Sequence, residues 1–212
     1  MTARDEILQR AREALGGGFE QPTATPEARI RIPEVAIEAR IESLFRAVTN
    51  LAGKTCLADS PAGVREYVAA LIGDGPAVAS NAPLLDECGI TGLPGVQTGF
   101  TDLAALRQAC ASAAFGITGV AYALADTGTL VMLASTEEAR MISLLPPVHI
   151  AIVPRARILT GLDELLSKAP RPGEVTSSMV FITGPSRTAD IEQILVRGVH
   201  GPGEIHVVIV AP

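Results

Sequence analysis

"FITGPSRTADIEQILVRGVHGP" occupies residues 181–202 of a 212-residue chain. A hydrophobic run stops at Thr183, a Gly-Pro-Ser-Arg turn follows, and Ile191, Ile194 and Leu195 then fall at helical spacing. The spacing predicts a strand over 177–183, a helix over about 187–197 and a closing strand in "IHVVIVAP". In open α/β sheets, ligands gather beyond the carboxyl ends of strands, and a helix N-terminus at that edge favours an anion. Gly184 permits the bend, Ser186 and Thr188 offer hydroxyls, and Arg187 can grip a carboxylate or phosphate with two parallel hydrogen bonds. The plainer alternative is a helix cap, with Ser186 or Thr188 at the N-terminus and Asp190 and Glu192 complementing the dipole. The turn lacks the Gly-Lys-Ser/Thr ending of a Walker loop and is not Gly-x-Gly-x-x-Gly, so no motif indicates a nucleotide.

Working outward, strands and helices alternate. Residues 34–52 place Ile37, Ile41, Leu44, Phe45, Val48 and Leu51 at helical spacing. "KTCLA" (54–58) and "PAVAS" (76–80) read as strands, and "SPAGVREYVAALI" between them as a helix with a Ser cap and Pro in its first turn. A further helix is expected over 101–114. "ITGVAYAL" and "TLVMLAS" read as two strands of a hairpin joined by "ADTG". "VHIAIVP" (148–154) is a strand and "TGLDELLSKA" a helix. Uniformly apolar strands alternating with helices predict a three-layer α/β sandwich around a largely parallel sheet. Residues 3–15 make a short amphipathic helix, and 16–33 read as a flexible tether. The expected division is therefore 1–33 for helix and tether and 34–212 for the α/β domain.

The hairpin turn is the second candidate site. If its leading strand runs parallel to 177–183, Asp126, Thr127, Gly128 and Thr129 reach the same sheet edge as Ser186 and Arg187. Asp126 is then the candidate catalytic base, and its neighbours bind substrate. An ordinary Asp-containing hairpin turn is the competing reading. His200 invites a dyad with Ser186, but an eleven-residue helix is about 16 Å long and would carry His200 to the opposite edge. Contact with a neighbouring subunit or a returning loop stays open for it. His149 and His206 belong to strands and read as structural.

Composition narrows the class. Seventeen basic against twenty-three acidic side chains give a net charge of -6, with no basic cluster for nucleic acid. Cys56, Cys88 and Cys110 are far apart and unpaired in sequence, which argues against a disulfide framework, a zinc site or a cluster held by this chain alone. Three histidines without ligand spacing argue against a metal site. The charged N-terminus is unlike a signal peptide. Residues 108–125 are uncharged, yet their texture changes from helical to strand-like near Phe115, so no membrane span is expected. A cytoplasmic protein is the expectation.

"ADTGTLVMLAS", "SLLPPVHIAIVP", "ITGPSRTADIEQILVRGVHGPGEIHVVIV" and "ARDEILQRAREAL" together resemble the lactate utilization protein C family, whose shared unit is the LUD domain. The resemblance implies a fold of the sugar-phosphate isomerase/CoA-transferase type. It also implies a part in oxidising L-lactate to pyruvate with two other proteins, one of them an iron–sulfur electron carrier that holds the clusters. No cofactor is expected on this chain. The family supplies no catalytic residue, so the assignments above rest on physical inference. Two other functions compete: a stand-alone isomerase or CoA-transferase, and a non-catalytic assembly or sensor subunit.

Overall fold

The computed structural model describes residues 3–14, 33–168, 176, 178–188, 196–198 and 200–211. Helix α1 (Ala3–Ala14) belongs to a compact unit of its own, spanning residues 1–31. Arg10 pairs with Glu6 one turn earlier at 2.6 Å, an i,i+4 contact on its surface.

The unit of residues 32–212 begins with α2 (Ile37–Asn50), β1 (Lys54–Ala58), α3 (Pro61–Ile72), β2 (Ala77–Ala79), α4 (Pro83–Glu87), β3 (Val96–Gln97) and α5 (Leu103–Ser112). It continues with β4 (Phe115–Gly119), β5 (Tyr122–Leu124), β6 (Thr129–Leu133), α6 (Arg140–Leu144), β7 (Val148–Pro154) and β8 (Ile158–Leu159). Helix α7 (Leu162–Lys168) follows, then β9 (Met179–Ile182), β10 (Arg187–Thr188), β11 (Val196–Arg197) and β12 (Glu204–Val210).

Six strands form a wholly parallel sheet in the order β1-β12-β7-β4-β2-β3. Its centre is the β7–β12 pair, each seven residues of mostly β-branched side chains. Successive side chains point to opposite faces. Ile150, Ile152, Val208 and Val210 meet Val64, Val68 and Ile72 of α3 on one face. Ala151, Val153, Val207 and Ile209 meet Ile41, Leu44 and Val48 of α2 on the other. Ser60 starts α3 as expected: its Oγ accepts the Gly63 N–H at 3.2 Å, and Pro61 occupies the first turn. Farther along the sheet, α5 and α6 enclose Val78 with Leu106, Cys110 and Ile142. This is the expected α/β sandwich, with one addition. The layer containing α2 also contains a mixed four-stranded sheet, β8-β5-β6-β9, which shares its core through Ala123, Leu130 and Ile158.

Two expectations are corrected. "ITGVAYAL" is not one strand: β4 ends at Gly119 in the parallel sheet, and β5 enters the second sheet at Tyr122. The bend is fixed by the Ala121 N–H, which donates to the Val131 carbonyl at 3.1 Å. The helix expected over 187–197 is also corrected at both ends, where Arg187 and Thr188 pair antiparallel with Arg197 and Val196. The Gly198 N–H donates to the Ser186 carbonyl at 3.0 Å and closes the ladder, and β-branched Thr188 and Val196 suit an extended backbone. Residues 189–195, which carry the helical apolar spacing, lie outside the described residues.

A buried acid ties the two sides of the α2 layer together. Glu164 is 3% exposed, and it accepts Lys168 Nζ at 2.6 Å, Arg40 Nη1 at 3.2 Å and the Thr160 N–H at 2.7 Å. Burial alone would raise its pKa, but the hydrogen bonds from Lys168 and Thr160 and the charge of Arg40 prevail and hold it at about 2.

Two predictions follow from this packing. Since the folded pKa is depressed, the contribution of Glu164 is present above the ordinary carboxylate value and is lost as pH falls towards 2. Glu164→Gln should therefore cost about 2–3 kcal/mol near pH 7 in urea unfolding, and the difference from wild type should shrink through acid pH. A Cβ on Gly116 would lie 1.9 Å from the Ile142 carbonyl oxygen, whereas one on Gly63 meets nothing nearer than 3.6 Å. Gly116→Ala should then lower stability by about 3 kcal/mol, while Gly63→Ala in the first turn of α3 should leave it unchanged or raise it by up to about 1 kcal/mol.

Candidate functional site

The hairpin turn and the turn after β9 do share an edge. Strand β6 is antiparallel to both β5 and β9, so β5 and β9 run in the same direction. Their following turns are linked by side chains. Thr127 Oγ1 donates to Asp126 Oδ1 at 3.2 Å, Thr127 and Thr129 share a hydrogen bond of 2.8 Å, and Thr129 reaches Thr183 at 2.8 Å. Asp126 and Thr127 are exposed and Thr129 is buried. A cleft of about 260 Å³ opens over this chain between Leu162 and Phe181. Thr183 is its unanticipated member.

The 184–187 turn is not a helix N-terminus. The Ser186 N–H donates to the Pro202 carbonyl at 2.8 Å, so it is not free for an anion. Arg187 Nη2 donates to the Leu51 carbonyl, which closes α2, and the guanidinium thus lies at the negative end of that helix. Gly184 (φ 81°) and Gly128 (φ 70°) press on the same helix end. A Cβ on Gly184 would be 2.9 Å from Leu51 Cβ, and one on Gly128 2.9 Å from the Val48 nitrogen. Thr188 pairs with Val196 through its backbone. Asp190 and Glu192 lie outside the described residues.

His200 is also not carried to a far edge. The β10–β11 pairing brings Gly198 and Pro202 to Ser186, and a Cβ on Gly201 would be 3.3 Å from Ser186 Cβ. His200 is exposed beside a cleft of about 510 Å³ lined by Leu144, Leu145 and Pro147.

A third site escaped the sequence reading. At the carboxyl ends of β4 and β7, a cleft of about 410 Å³ lies between Gly119, Tyr122, Met132, Glu137, Glu138, Pro154 and Arg157. Arg157 Nη1 donates to Tyr122 Oη at 3.3 Å, and its guanidinium carbon sits 5.3 Å from the Tyr122 ring centroid, a cation–π contact. Both carboxylate oxygens of Glu138 are buried and lack a hydrogen-bond partner. Burial pushes the pKa of Glu138 up to about 8; nearby Ser80 and the Gly119 backbone oppose the shift and Glu137 adds to it. The only signal in the sequence was a pair of glutamates a few residues after an apolar strand, and periodicity does not show which one turns inward. An apolar cleft of about 380 Å³ adjoins it, with Leu84 and Pro154 lining both.

The two strand histidines are held in place. His149 Nε2 pairs with Thr118 Oγ1 at 2.9 Å, and burial pushes its pKa down to about 4. His206 lies between Tyr67 Oη at 2.8 Å and Glu204 Oε1 at 2.7 Å, and the same oxygen receives Lys54 Nζ at 2.6 Å. Burial pushes the Cys56, Cys88 and Cys110 thiols up. Among the described residues no group of three or more His, Cys, Asp and Glu side chains could hold a metal ion, and no helix is long and apolar enough to cross a membrane.

Comparison with known proteins agrees with this architecture. A lactate utilization protein C from Geobacillus kaustophilus (strain HTA426) is 34% identical over 171 residues, covering 74% of this chain and 71% of that protein. One from Geobacillus sp. (strain WCH70) is 34% identical over 229 aligned residues, covering 98% and 95%. The crystal structure of a DUF162 family protein from Deinococcus radiodurans, 21% identical, has the same fold, with a TM-score of 0.67 over 84% of this chain and 99% of that one. The LUD domain profile matches residues 41–210, and the chain belongs to the LUD domain family.

Proposed function

We propose that the chain takes part in lactate utilization and binds a small hydroxy- or keto-acid in the cleft between Gly119, Tyr122, Glu138 and Arg157. The relatives named lactate utilization protein C support the first half. The second half is carried by one observation: this cleft lies at the carboxyl edge of the parallel sheet, with a cationic side chain at its rim. That edge is where open α/β sheets take ligands. Arg157 already stacks on Tyr122, which pre-orients the guanidinium to pair with a carboxylate. In this reading the chain works with an iron–sulfur protein that carries the electrons of L-lactate oxidation to pyruvate. The wide separation of its own three cysteines in sequence is the reason for placing the clusters on that partner.

The hydroxyl chain from Asp126 to Thr183 supports a second location for the same acid, since a carboxylate and three hydroxyls converge there. A thermal-shift series separates the two. L-lactate, D-lactate, pyruvate, phosphate, ribose 5-phosphate and CoA are tested against wild type, Arg157→Ala, Asp126→Asn and Arg187→Ala. Lactate or pyruvate should raise Tm in wild type and Asp126→Asn, and should fail to do so in Arg157→Ala. Loss of the shift in Asp126→Asn alone moves the acid to the threonine chain. A response to CoA or ribose 5-phosphate instead overturns the lactate reading in favour of isomerase or CoA-transferase chemistry. Arg187→Ala should lower the Tm of the ligand-free protein, by an amount equivalent to about 1 kcal/mol for a lost helix-end contact, yet keep the ligand shift.

A further inference from the structure

Glu138 differs from Glu164 and Glu204, two paired acids among the described residues. Glu164 has three donors on its carboxylate, and Glu204 has Lys54 and His206. Glu138 has no donor in hydrogen-bond geometry on either oxygen: the Ser80 hydroxyl and the Gly119 N–H lie close enough to lower its pKa somewhat but do not close a bond, and Ser80 Oγ is itself buried without a partner. Unpaired polar atoms inside a protein are costly, and few folds retain them without a use. The surroundings hold Glu138 in that position. Ser135 Oγ accepts the N–H groups of Glu137 and Glu138 at 3.1 and 3.0 Å. The Asn81 N–H donates to the Glu137 carbonyl at 2.9 Å, and the Ser135 N–H to the Glu138 carbonyl at 3.2 Å. Gly119 makes the room: a Cβ there would lie 2.7 Å from Glu138 Oε1.

We propose that Glu138, with Ser80 beside it, is the group that receives the ligand in this cleft. As a neutral carboxylic acid it donates a hydrogen bond to an oxygen of a small carboxylate or keto-acid, while Arg157 pairs with the ligand's charge. The cleft therefore takes an anion only together with the proton on Glu138. This rests on reading the cleft as the acid site. Titratable or charged groups facing Glu138 are Glu137 in its own loop, Tyr122 on β5 and Arg157 after β7. Ser80 after β2 and Gly119 on β4 do not titrate, and Ala82 before α4 and Pro83 and Leu84 in its first turn are apolar.

The pKa raised to about 8 agrees with this geometry and fixes two signs. Affinity for an anion is level below pH 8 and falls by up to about tenfold per pH unit above it. In the ligand-free protein the unfolded chain ionises first, so Glu138 lowers stability as pH rises from the ordinary carboxylate value to about 8. The Tm advantage of Glu138→Gln over wild type should thus be small at pH 4 and widest above pH 8.

The test is calorimetric titration with L-lactate, pyruvate and acetate from pH 6 to 9.5, on wild type, Glu138→Gln and Glu138→Leu, beside that Tm series. Glu138→Gln, whose amide donates at every pH, should bind within about fivefold of wild type at pH 7 and lose the alkaline decline. Glu138→Leu should lose at least about tenfold at pH 7. An unchanged decline in Glu138→Gln, wild-type binding by Glu138→Leu, or a Tm difference independent of pH overturns the proposal. Binding of lactate without any dependence on Glu138 leaves the function reading standing and removes this one. Binding of acetate alone, with the Glu138 dependence intact, does the reverse. Binding of none of the three overturns both.

Discussion

The parallel pairing of β7 with β12 is the constraint on which the other parts depend. Seven residue pairs run in register from Val148 with Glu204 to Pro154 with Val210. Both strands are central, so each has apolar side chains on two faces, and both faces need a cover. Helix α3 covers one face; α2 and the second sheet cover the other. Because all six strands run the same way, one edge collects every carboxyl end. Pro154 and Gly119 end there, and the Glu138 loop is hydrogen-bonded to Asn81 just past β2. The position of the acid cleft is thus a consequence of strand direction.

The last turn of α2 is the second organising point. Gly128, Gly184 and Arg187 come from two separate turns, and all three meet residues 47–51. The glycines let the backbone approach the helix, and the guanidinium satisfies one of its terminal carbonyls. Residues that look like a ligand cradle in sequence are therefore engaged by the fold itself. What remains open to solvent nearby are the two ends of the hydroxyl chain, Asp126 with Thr127 and Thr183.

Most of the architecture was legible because its signals are local. Ser60 and Pro61 marked the start of α3, "VHIAIVP" marked β7 residue for residue, and "ADTG" marked the β5–β6 turn. Legibility failed where local pattern and tertiary pairing disagree. Helical spacing at Ile191, Ile194 and Leu195 suggested one helix over 187–197, while the ends of that segment are paired as strands. The β4–β5 break was invisible because Val120 is apolar and buried like its neighbours, and only the partner strands change. Asp126 and the threonines were found from a turn motif, and their shared edge with β9 followed once strand directions were known. Glu138 could not be found that way, since its distinction is the lack of partners, a property of the folded surroundings.

The crossover at Val120 and Ala121 has a mechanical consequence. One covalent segment leaves the parallel sheet at Gly119 and joins the second sheet at Tyr122, so the two sheets share a strut only two residues long. Sliding one sheet past the other would pull the Ala121 N–H from the Val131 carbonyl and disturb the buried Val120. The same strut forms a wall of the cleft, with Glu138 packed against Gly119 just before it and Arg157 stacked on Tyr122 just after it. The cleft's width is therefore set by the covalent connection between the two sheets.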